Sequence, residues 1–223
     1  VSQLTIAGQN NVQLVGCGDS SILRWTFDAA LAAGSLLTIT NSNRTKITEL
    51  RFDGAGLTNP AASRLNHLVA VGNATAADVV DTHIQLCTFT GMGALSGDGV
   101  HILGTTANRI SRVWVKNNIF DGCSRFGACV EQGGRFVWIV DNQITNCETD
   151  IALVPTAAVA NEGIQIRNNQ ILHTGAVRHA IRLEGSAAAV SHKIIVASNI
   201  VIGGFLTASG LLGAWRGLPF GGH

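Results

Sequence analysis

The fold is decided by two stretches, residues 113–123 (VWVKNNIFDGC) and residues 137–147 (VWIVDNQITNC), because the same phrase returns twice more. The later copies are residues 164–174 (IQIRNNQILHT) and residues 194–204 (IIVASNIVIGG). One asparagine holds the same position in every copy, at intervals of 24, 27 and 30 residues: Asn118, Asn142, Asn169 and Asn199. A rigid local motif with an uneven period indicates a solenoid whose coils share one cross-section while their loops vary in length.

Apolar and polar residues alternate within each phrase with a period of two, which predicts strands and not helices. Val113 and Val115 are expected to face one side of a strand, and Trp114 and Lys116 the other. Asn118 belongs to the turn that follows, where an asparagine side chain can bond the backbone. Stacked amides can also bond the coils above and below. The sequence therefore predicts a ladder of asparagines along one turn of the solenoid.

Earlier stretches fit this frame less closely. Residues 82–89 place Cys87 in the asparagine position and predict that Phe89 stacks on Phe120. Residues 12–25 and 47–56 are predicted to be coils with wider turns.

The ends of the periodic region set the predicted domain boundaries. Residues 57–77 and 203–223 have no clear period, and we interpret the first as an excursion. We predict a solenoid over residues 1–205 and a cap or linker over residues 206–223. The sequence opens at Val1, without a methionine and already inside a strand-like phrase, so we expect it to be part of a longer chain.

Composition excludes several classes of function. Apolar residues make up 46% and charged residues 13% of the chain, a balance that suits many short buried strands. A net charge of +1 without a basic stripe argues against nucleic acid as a partner. No apolar run reaches the roughly 18 residues of a membrane span. No spacing of Cys and His residues predicts a zinc site, no loop predicts a calcium site, and no cofactor is expected.

Five cysteines form an odd set, which argues against a complete disulfide framework. Cys123 and Cys147 both lie five residues after a ladder asparagine, so they are expected to stack on adjacent coils. Stacked strands lie about 4.8 Å apart, within the Cα separation that a disulfide tolerates. Buried thiols that pack as small apolar groups are the favoured interpretation, with a disulfide as the alternative.

Several phrases resemble the right-handed parallel β-helix of the pectate-lyase-like superfamily, over about residues 3–205. The resemblance rests on NVQLVGCGDSSILRW, ITELRFDGAG, NNIFDGCSRFGACVEQGG, DNQITNC and EGIQIRNNQILHTG. It implies an all-β, right-handed parallel β-helix with coils of about 24–31 residues. The opening phrases are most similar to the bacterial and phage-tailspike branch. Members of the superfamily include polysaccharide lyases, glycoside hydrolases, epimerases, tailspikes and adhesins, often homotrimeric in the tailspike branch.

The resemblance places catalytic side chains on the outer face of the first strand of each coil. Alternation predicts the following outward pairs: His101 and Leu103, Cys129 and Glu131, Ala152 and Val154, Arg182 and Glu184. Glu131 and Glu184 would then lie two coils apart, about 10 Å by strand spacing. Inverting glycoside hydrolysis uses two carboxyls about 6.5–9.5 Å apart, with His101 as a proton carrier and Arg182 assisting. A solvated strand face with incidental charges is the favoured interpretation, because no motif supports this set of catalytic residues.

Asp98 is a further candidate catalytic residue, because the Gly-Asp-Gly at residues 97–99 is similar to the aspartates of polygalacturonase-like hydrolases. The paired-Asp, Gly-His-Gly and Arg-Ile-Lys motifs of those enzymes are absent from the sequence, and Gly-Asp-Gly is also an ordinary turn. The scattered aspartates argue against a calcium-dependent lyase. If the chain is an enzyme, a glycoside hydrolase is therefore favoured over a lyase.

Trp114 and Trp138 are candidate ligand-binding residues, because they are predicted to stack outward on adjacent coils with His83 extending the column. Aligned indoles could offer an apolar platform to sugar faces, or contact a loop or another subunit. Coverage or subunit contact is the favoured interpretation. Arg167, like Arg182, could neutralise a uronate, or pair with Glu184 or Glu162.

The leading functional hypothesis is a polysaccharide-binding β-helix of tailspike or secreted bacterial type, with cleavage by Glu131 and Glu184 as an extension. The expected partners are a polysaccharide and further copies of the chain, as a homotrimer. The expected location is extracellular, on a cell surface or in a virion. The competing hypothesis is a structural or adhesion module without catalysis, since fold alone does not assign a reaction.

Overall fold

The structure, a computed structural model, describes residues 3–25, 34–55, 66–72, 78–92, 97–105, 110–155, 159–173, 178–185 and 191–209. Of Arg178 and residues 204–209 it describes the backbone only. Every regular element within these residues is a strand, and none of them belongs to a helix with the length and apolarity needed to cross a membrane.

The strands, numbered in chain order, form three sheets in which every pairing is parallel. The first sheet contains β1 (Leu4–Ala7), β4 (Gly34–Thr40), β7 (Asn66–Val71), β10 (Val100–Leu103), β13 (Phe126–Gln132), β16 (Thr149–Leu153), β19 (Arg178–Glu184) and β22 (Gly204–Ser209). The second contains β2 (Gln13–Val15), β5 (Asn43–Thr48), β8 (Val79–Gln85), β11 (Ile110–Lys116), β14 (Gly134–Val140), β17 (Gln165–Arg167) and β20 (Ile195–Ala197). The third contains β3 (Ile22–Arg24), β6 (Arg51–Asp53), β9 (Thr88–Thr90), β12 (Ile119–Asp121), β15 (Gln143–Thr145), β18 (Gln170–Leu172) and β21 (Ile200–Ile202).

Each coil contributes one strand to each sheet, so the prediction of an all-β parallel β-helix is confirmed. Alternation places one side of every strand inside, where Val113 and Val115 are fully buried. Phe52, Phe89 and Phe120 stack at centroid distances of 5.2 and 4.7 Å, which confirms the predicted stacking of Phe89 on Phe120. Strands from coil after coil therefore share one continuous core.

The asparagine ladder runs along the turn between the second and third sheets. The Nδ2 of Asn142 donates to Oδ1 of Asn169 at 2.9 Å and to the backbone oxygen of Val115 at 2.9 Å. The Oδ1 of Asn142 accepts from the backbone N–H and the Nδ2 of Asn118. The same bonds continue from Asn169 to Asn199. The predicted ladder is confirmed, and it satisfies polar atoms that are almost fully buried.

The residue before each ladder asparagine makes the turn itself. Asn117, Asp141, Asn168 and Ser198 all have φ between 54° and 57°. This left-handed region is tolerated best by glycine and by short polar side chains that bond the nearby backbone. Cys87 occupies the asparagine position as predicted, with Leu86 in the left-handed conformation before it and its own N–H donating to Oδ1 of Asn118 at 3.0 Å.

The strand β7 corrects the interpretation of residues 57–77 as an excursion, because residues 66–71 are a regular strand of the first sheet. Its period was hidden because all six residues of β7 are buried, on both faces of the sheet. Apart from Gly72, the rest of that prediction falls on residues 57–65 and 73–77, which lie outside the described residues. The strand β22 spans the predicted boundary at residue 205, and residues 210–223 of the predicted cap lie outside the described residues.

The cysteines follow the favoured interpretation. Cys123 and Cys147 are buried at adjacent coil positions and both are free thiols. Burial and the neighbouring Cys123 thiol raise the pKa of Cys147 well above its usual value. The two side chains therefore pack in the core as small apolar groups.

Candidate functional site

The outer face of the first sheet has the register that the sequence predicts. His101 lies beside Cys129, Cys129 beside Ala152, and Ala152 beside Arg182. The pairing shifts by one residue after Ile102, so that Leu103 lies beside Gln132. This irregularity of the strand displaces Glu131 from the column of Leu103.

Part of this face is covered instead of solvated. Cys129 and Ala152 are fully buried and pack with Phe126 in a small apolar cluster on the outer side of the sheet. The solvated-face interpretation therefore fails at these positions. Glu131 keeps contact with solvent, since its side chain is 23% exposed.

Asp98 is the centre of a group of ionisable residues on this face, which we call the Asp98 cluster: His67, Asp98, His101, Arg125 and Glu131. The Asp98 side chain is fully buried. Its Oδ2 lies 2.5 Å from Nδ1 of His101 and 3.2 Å from Nδ1 of His67. Its Oδ1 accepts from Nε of Arg125 at 2.8 Å. Asp98 therefore organises side chains from three consecutive coils and is more than a residue of an isolated turn.

The two histidines and Glu131 extend the Asp98 cluster toward solvent. The imidazoles of His67 and His101 stack with centroids 4.0 Å apart. The Nε2 of His101 lies 3.1 Å from Oε2 of Glu131, so His101 bridges two carboxylates through its two ring nitrogens. The Arg125 guanidinium also lies 3.8 Å from Glu131 and over the ring of Phe126.

The electrostatics of the Asp98 cluster follow from burial and these contacts. Burial opposes ionisation, yet His67 and the hydrogen bond from His101 hold the pKa of Asp98 well below its usual range. Burial would lower the pKa of His101, but hydrogen bonds to Asp98, Cys129 and Glu131 raise it well above its usual value. Burial and the nearby His101 lower the pKa of His67. At neutral pH Asp98 is therefore an anion, His101 a cation and His67 neutral.

Glu184 lies in a separate ion pair, two coils from Glu131. Its Oε1 accepts from Nε of Arg182 at 2.6 Å, and the two side chains are 23% and 39% exposed. The strand β16 lies between β13 and β19, which confirms the predicted separation of two coils.

A cavity of about 230 Å³ lies at the corner where the first sheet turns into the second. Its ionisable lining residues are Arg135, Glu162 and His192, which lie beside one another on consecutive coils. Gly133, two residues after Glu131, lines it as well. Glu162 is paired with Arg135 at 2.6 Å and with Lys193 at 2.7 Å, so the predicted alternative partner of Arg167 is already bound elsewhere.

The tryptophan column of the second sheet has the predicted order. His83 and Trp114 stack with centroids 4.2 Å apart, and Trp114 and Trp138 stack with centroids 4.6 Å apart. Their planes lie within 9° of parallel, so the ring faces are covered by one another. The faces between neighbouring rings are therefore closed to a ligand. A role of Trp114 and Trp138 in ligand binding stays a prediction.

Arg167 lies further along the same sheet, between Val140 and Ala197. It is remote in register from the first-sheet residues Glu131 and Glu184. Its role as a ligand-binding residue stays a prediction.

Sequence reasoning missed His67 and Arg125. His67 lies in β7, whose alternation is masked by burial on both faces, and Arg125 lies in the variable loop after β12. One signal could have found His67. Residues 66–69 (NHLV) and residues 100–103 (VHIL) both have a histidine in second place, followed by two aliphatic residues.

The comparison with protein families agrees with the fold. A family model described as the right-handed β-helix region matches residues 35–213. Two solved structures of PfbA, a surface adhesin of Streptococcus pneumoniae, are similar to 93% and 92% of the chain at 14% and 12% identity, with TM-scores of 0.44 and 0.39. The chain spans 58% and 67% of the length of those two structures. No curated protein sequence matches the chain.

Proposed function

We propose that this chain, which belongs to the family of right-handed β-helix proteins, binds a polysaccharide along the corner between its first and second sheets. The observation that carries the proposal is the cavity lined by Arg135, Glu162 and His192 on consecutive coils. Coils repeat about every 4.8 Å along the axis, so equivalent polar groups recur in a line that a polymer of sugars can follow.

The size and charge of the cavity support an acidic polysaccharide. Its volume of about 230 Å³ lies below the roughly 300–1,000 Å³ typical of sites for drug-sized ligands. This volume suits one sugar residue of a longer chain. Arg135 and Lys193 both pair with Glu162, so cationic groups outnumber anionic ones beside the cavity. A uronate carboxylate would be a suitable partner for the planar guanidinium of Arg135.

Binding is tested by calorimetric titration of the protein with a panel of acidic and neutral polysaccharides. We expect an acidic polysaccharide to bind, and Arg135→Gln to weaken its binding by about tenfold, since a hydrogen bond to a charged group contributes about 1.5–3 kcal/mol. Arg24→Gln is the matched control, because Arg24 makes a similar pair with Asp53 on the third sheet. Equal affinities of the Arg135 and Arg24 variants would contradict the proposal.

Hydrolysis by Glu131 and Glu184 is the second candidate function. It is favoured by two partly exposed carboxylates on one face, one of which contacts His101 as a proton donor. The same panel tests it through the release of reducing ends. Glu131→Gln with Glu184→Gln should abolish that release without affecting binding at the cavity. Unsaturated products, detected by absorbance, would instead indicate a lyase.

We also propose that the chain forms a homotrimer through the tryptophan column, and that it acts outside the cell, on a cell surface or in a virion. The resemblance to the tailspike branch supports both statements. The column offers indole edges, and Ile195 at its end is 40% exposed. Light scattering should give the mass of three chains, and Trp114→Gln with Trp138→Gln should give one. Ile119→Ser on the third sheet, also an exposed apolar residue, should leave the trimer intact.

A further inference from the structure

We propose that His67, Asp98 and His101 form a binding site for a divalent transition-metal ion such as Zn²⁺. The three side chains offer Nδ1, a carboxylate oxygen and Nδ1, and these atoms all lie within 4.8 Å of one another. The residues are 7%, 0% and 3% exposed. Two imidazoles and one carboxylate form a ligand set that suits zinc and its neighbours in the transition series.

The contacts of His67 place its Nδ1 at the carboxylate of Asp98. This nitrogen lies 3.2 Å from Oδ2 of Asp98 and 3.3 Å from the backbone nitrogen of Asp98. When Nδ1 carries no proton, its lone pair and those of Oδ2 are directed at the same space, and one metal ion can bind both atoms.

The surroundings of the ligands resemble those of built metal sites, in which a ligating histidine donates its other ring N–H to a carboxylate. The Nε2 of His101 lies 3.1 Å from Glu131, on the side of the ring away from Asp98. The second oxygen of Asp98, Oδ1, is held by Arg125 at 2.8 Å. Both ligands are therefore oriented from behind by a second set of side chains.

Binding exchanges a proton for the ion. Bonds form from the metal to Nδ1 of His67, Nδ1 of His101 and Oδ2 of Asp98, and the proton between His101 and Asp98 leaves to solvent. The contact of 2.5 Å between those two atoms must lengthen, whereas the 3.2 Å contact to His67 already suits two ligands of one ion. The carboxylates of Asp98 and Glu131 face the positive charge. Arg125 offsets part of this attraction.

The test is equilibrium dialysis of the folded chain against ZnCl₂, followed by elemental analysis, with Co²⁺ absorption as a spectroscopic readout. We expect about one ion per chain and a tetrahedral or five-coordinate Co²⁺ spectrum. His67→Gln should weaken binding by more than about tenfold, the lower range for changes at such sites. This variant keeps the ion pairs of Asp98 with His101 and Arg125, so it should fold.

Two controls address zinc bound at the surface. His192→Gln and Cys17→Ser remove an exposed histidine and an exposed thiol, and neither should change the stoichiometry. Zinc retained equally by His67→Gln, or no zinc retained by the native chain, would overturn the proposal. The proposal does not rest on polysaccharide binding, because its readouts are metal content and a spectrum of the chain without sugar.

Discussion

Replacing Asn142 by alanine is expected to lower the free energy of unfolding by about 3–5 kcal/mol. The Asn142 side chain takes part in four hydrogen bonds of the ladder, two as donor and two as acceptor. Alanine leaves the backbone oxygen of Val115 and the N–H and amide groups of Asn118 without these partners in the interior. A buried polar group that loses its partner costs about 1–3 kcal/mol, which is more than an average hydrogen bond contributes.

Urea denaturation followed by circular dichroism measures this change. Gln143→Ala is the matched control, because Gln143 is the next residue and its side chain is exposed. We expect the control to change the free energy of unfolding by less than about 0.5 kcal/mol. Equal midpoints for the two variants would mean that the ladder does not stabilise the coils.

Replacing Asp98 by asparagine is expected to cost about 3–5 kcal/mol, the usual range when one partner of a buried ion pair is removed. Asparagine has nearly the same shape, so the core keeps its packing. The Arg125 guanidinium and the protonated His101 would lose their shared anion inside the protein. Their remaining charges would then repel each other where solvent screens them little.

A double-mutant cycle separates this charge effect from a general disturbance of the turn. Urea denaturation gives the free energy of unfolding of Asp98→Asn, of His101→Gln and of the double variant. Because the second change removes one uncompensated cation, we expect the double variant to be more stable than the sum of the single effects predicts. Strict additivity would contradict the charge explanation. Asp121→Asn, at an exposed aspartate that accepts from Thr145, should have little effect.

The candidate site was only partly predictable, and the reason is topological. His101, Glu131, Arg182 and Glu184 could be placed on one face because each lies in a strand whose alternation is visible in the sequence. Their partners could not be assigned. Glu184 bonds Arg182 in its own strand, whereas Glu131 bonds His101 and lies near Arg125, and nothing in the alternation separates these outcomes.

In the tryptophan column, too, the sequence predicted which residues are neighbours, but not how their rings are oriented. Spacing alone predicted that Trp114 and Trp138 would be neighbours, because equivalent positions of adjacent coils stack. The use of the rings depends on their tilt, which is set by packing between coils. The observed tilt brings the faces of Trp114 and Trp138 together, with centroids 4.6 Å apart.

The sequence by itself determined the β-helix and its asparagine ladder, because these features rest on local patterns that repeat in successive coils. A period of two assigns strands, and a recurring asparagine assigns the turn. Only the tertiary structure decided that His67, Asp98 and Arg125 meet. Asp98 lies 31 residues after His67 and 27 residues before Arg125. The lengths of the intervening loops decide which residues of neighbouring coils lie beside one another. Such contacts depend on the register between coils, which no single coil encodes.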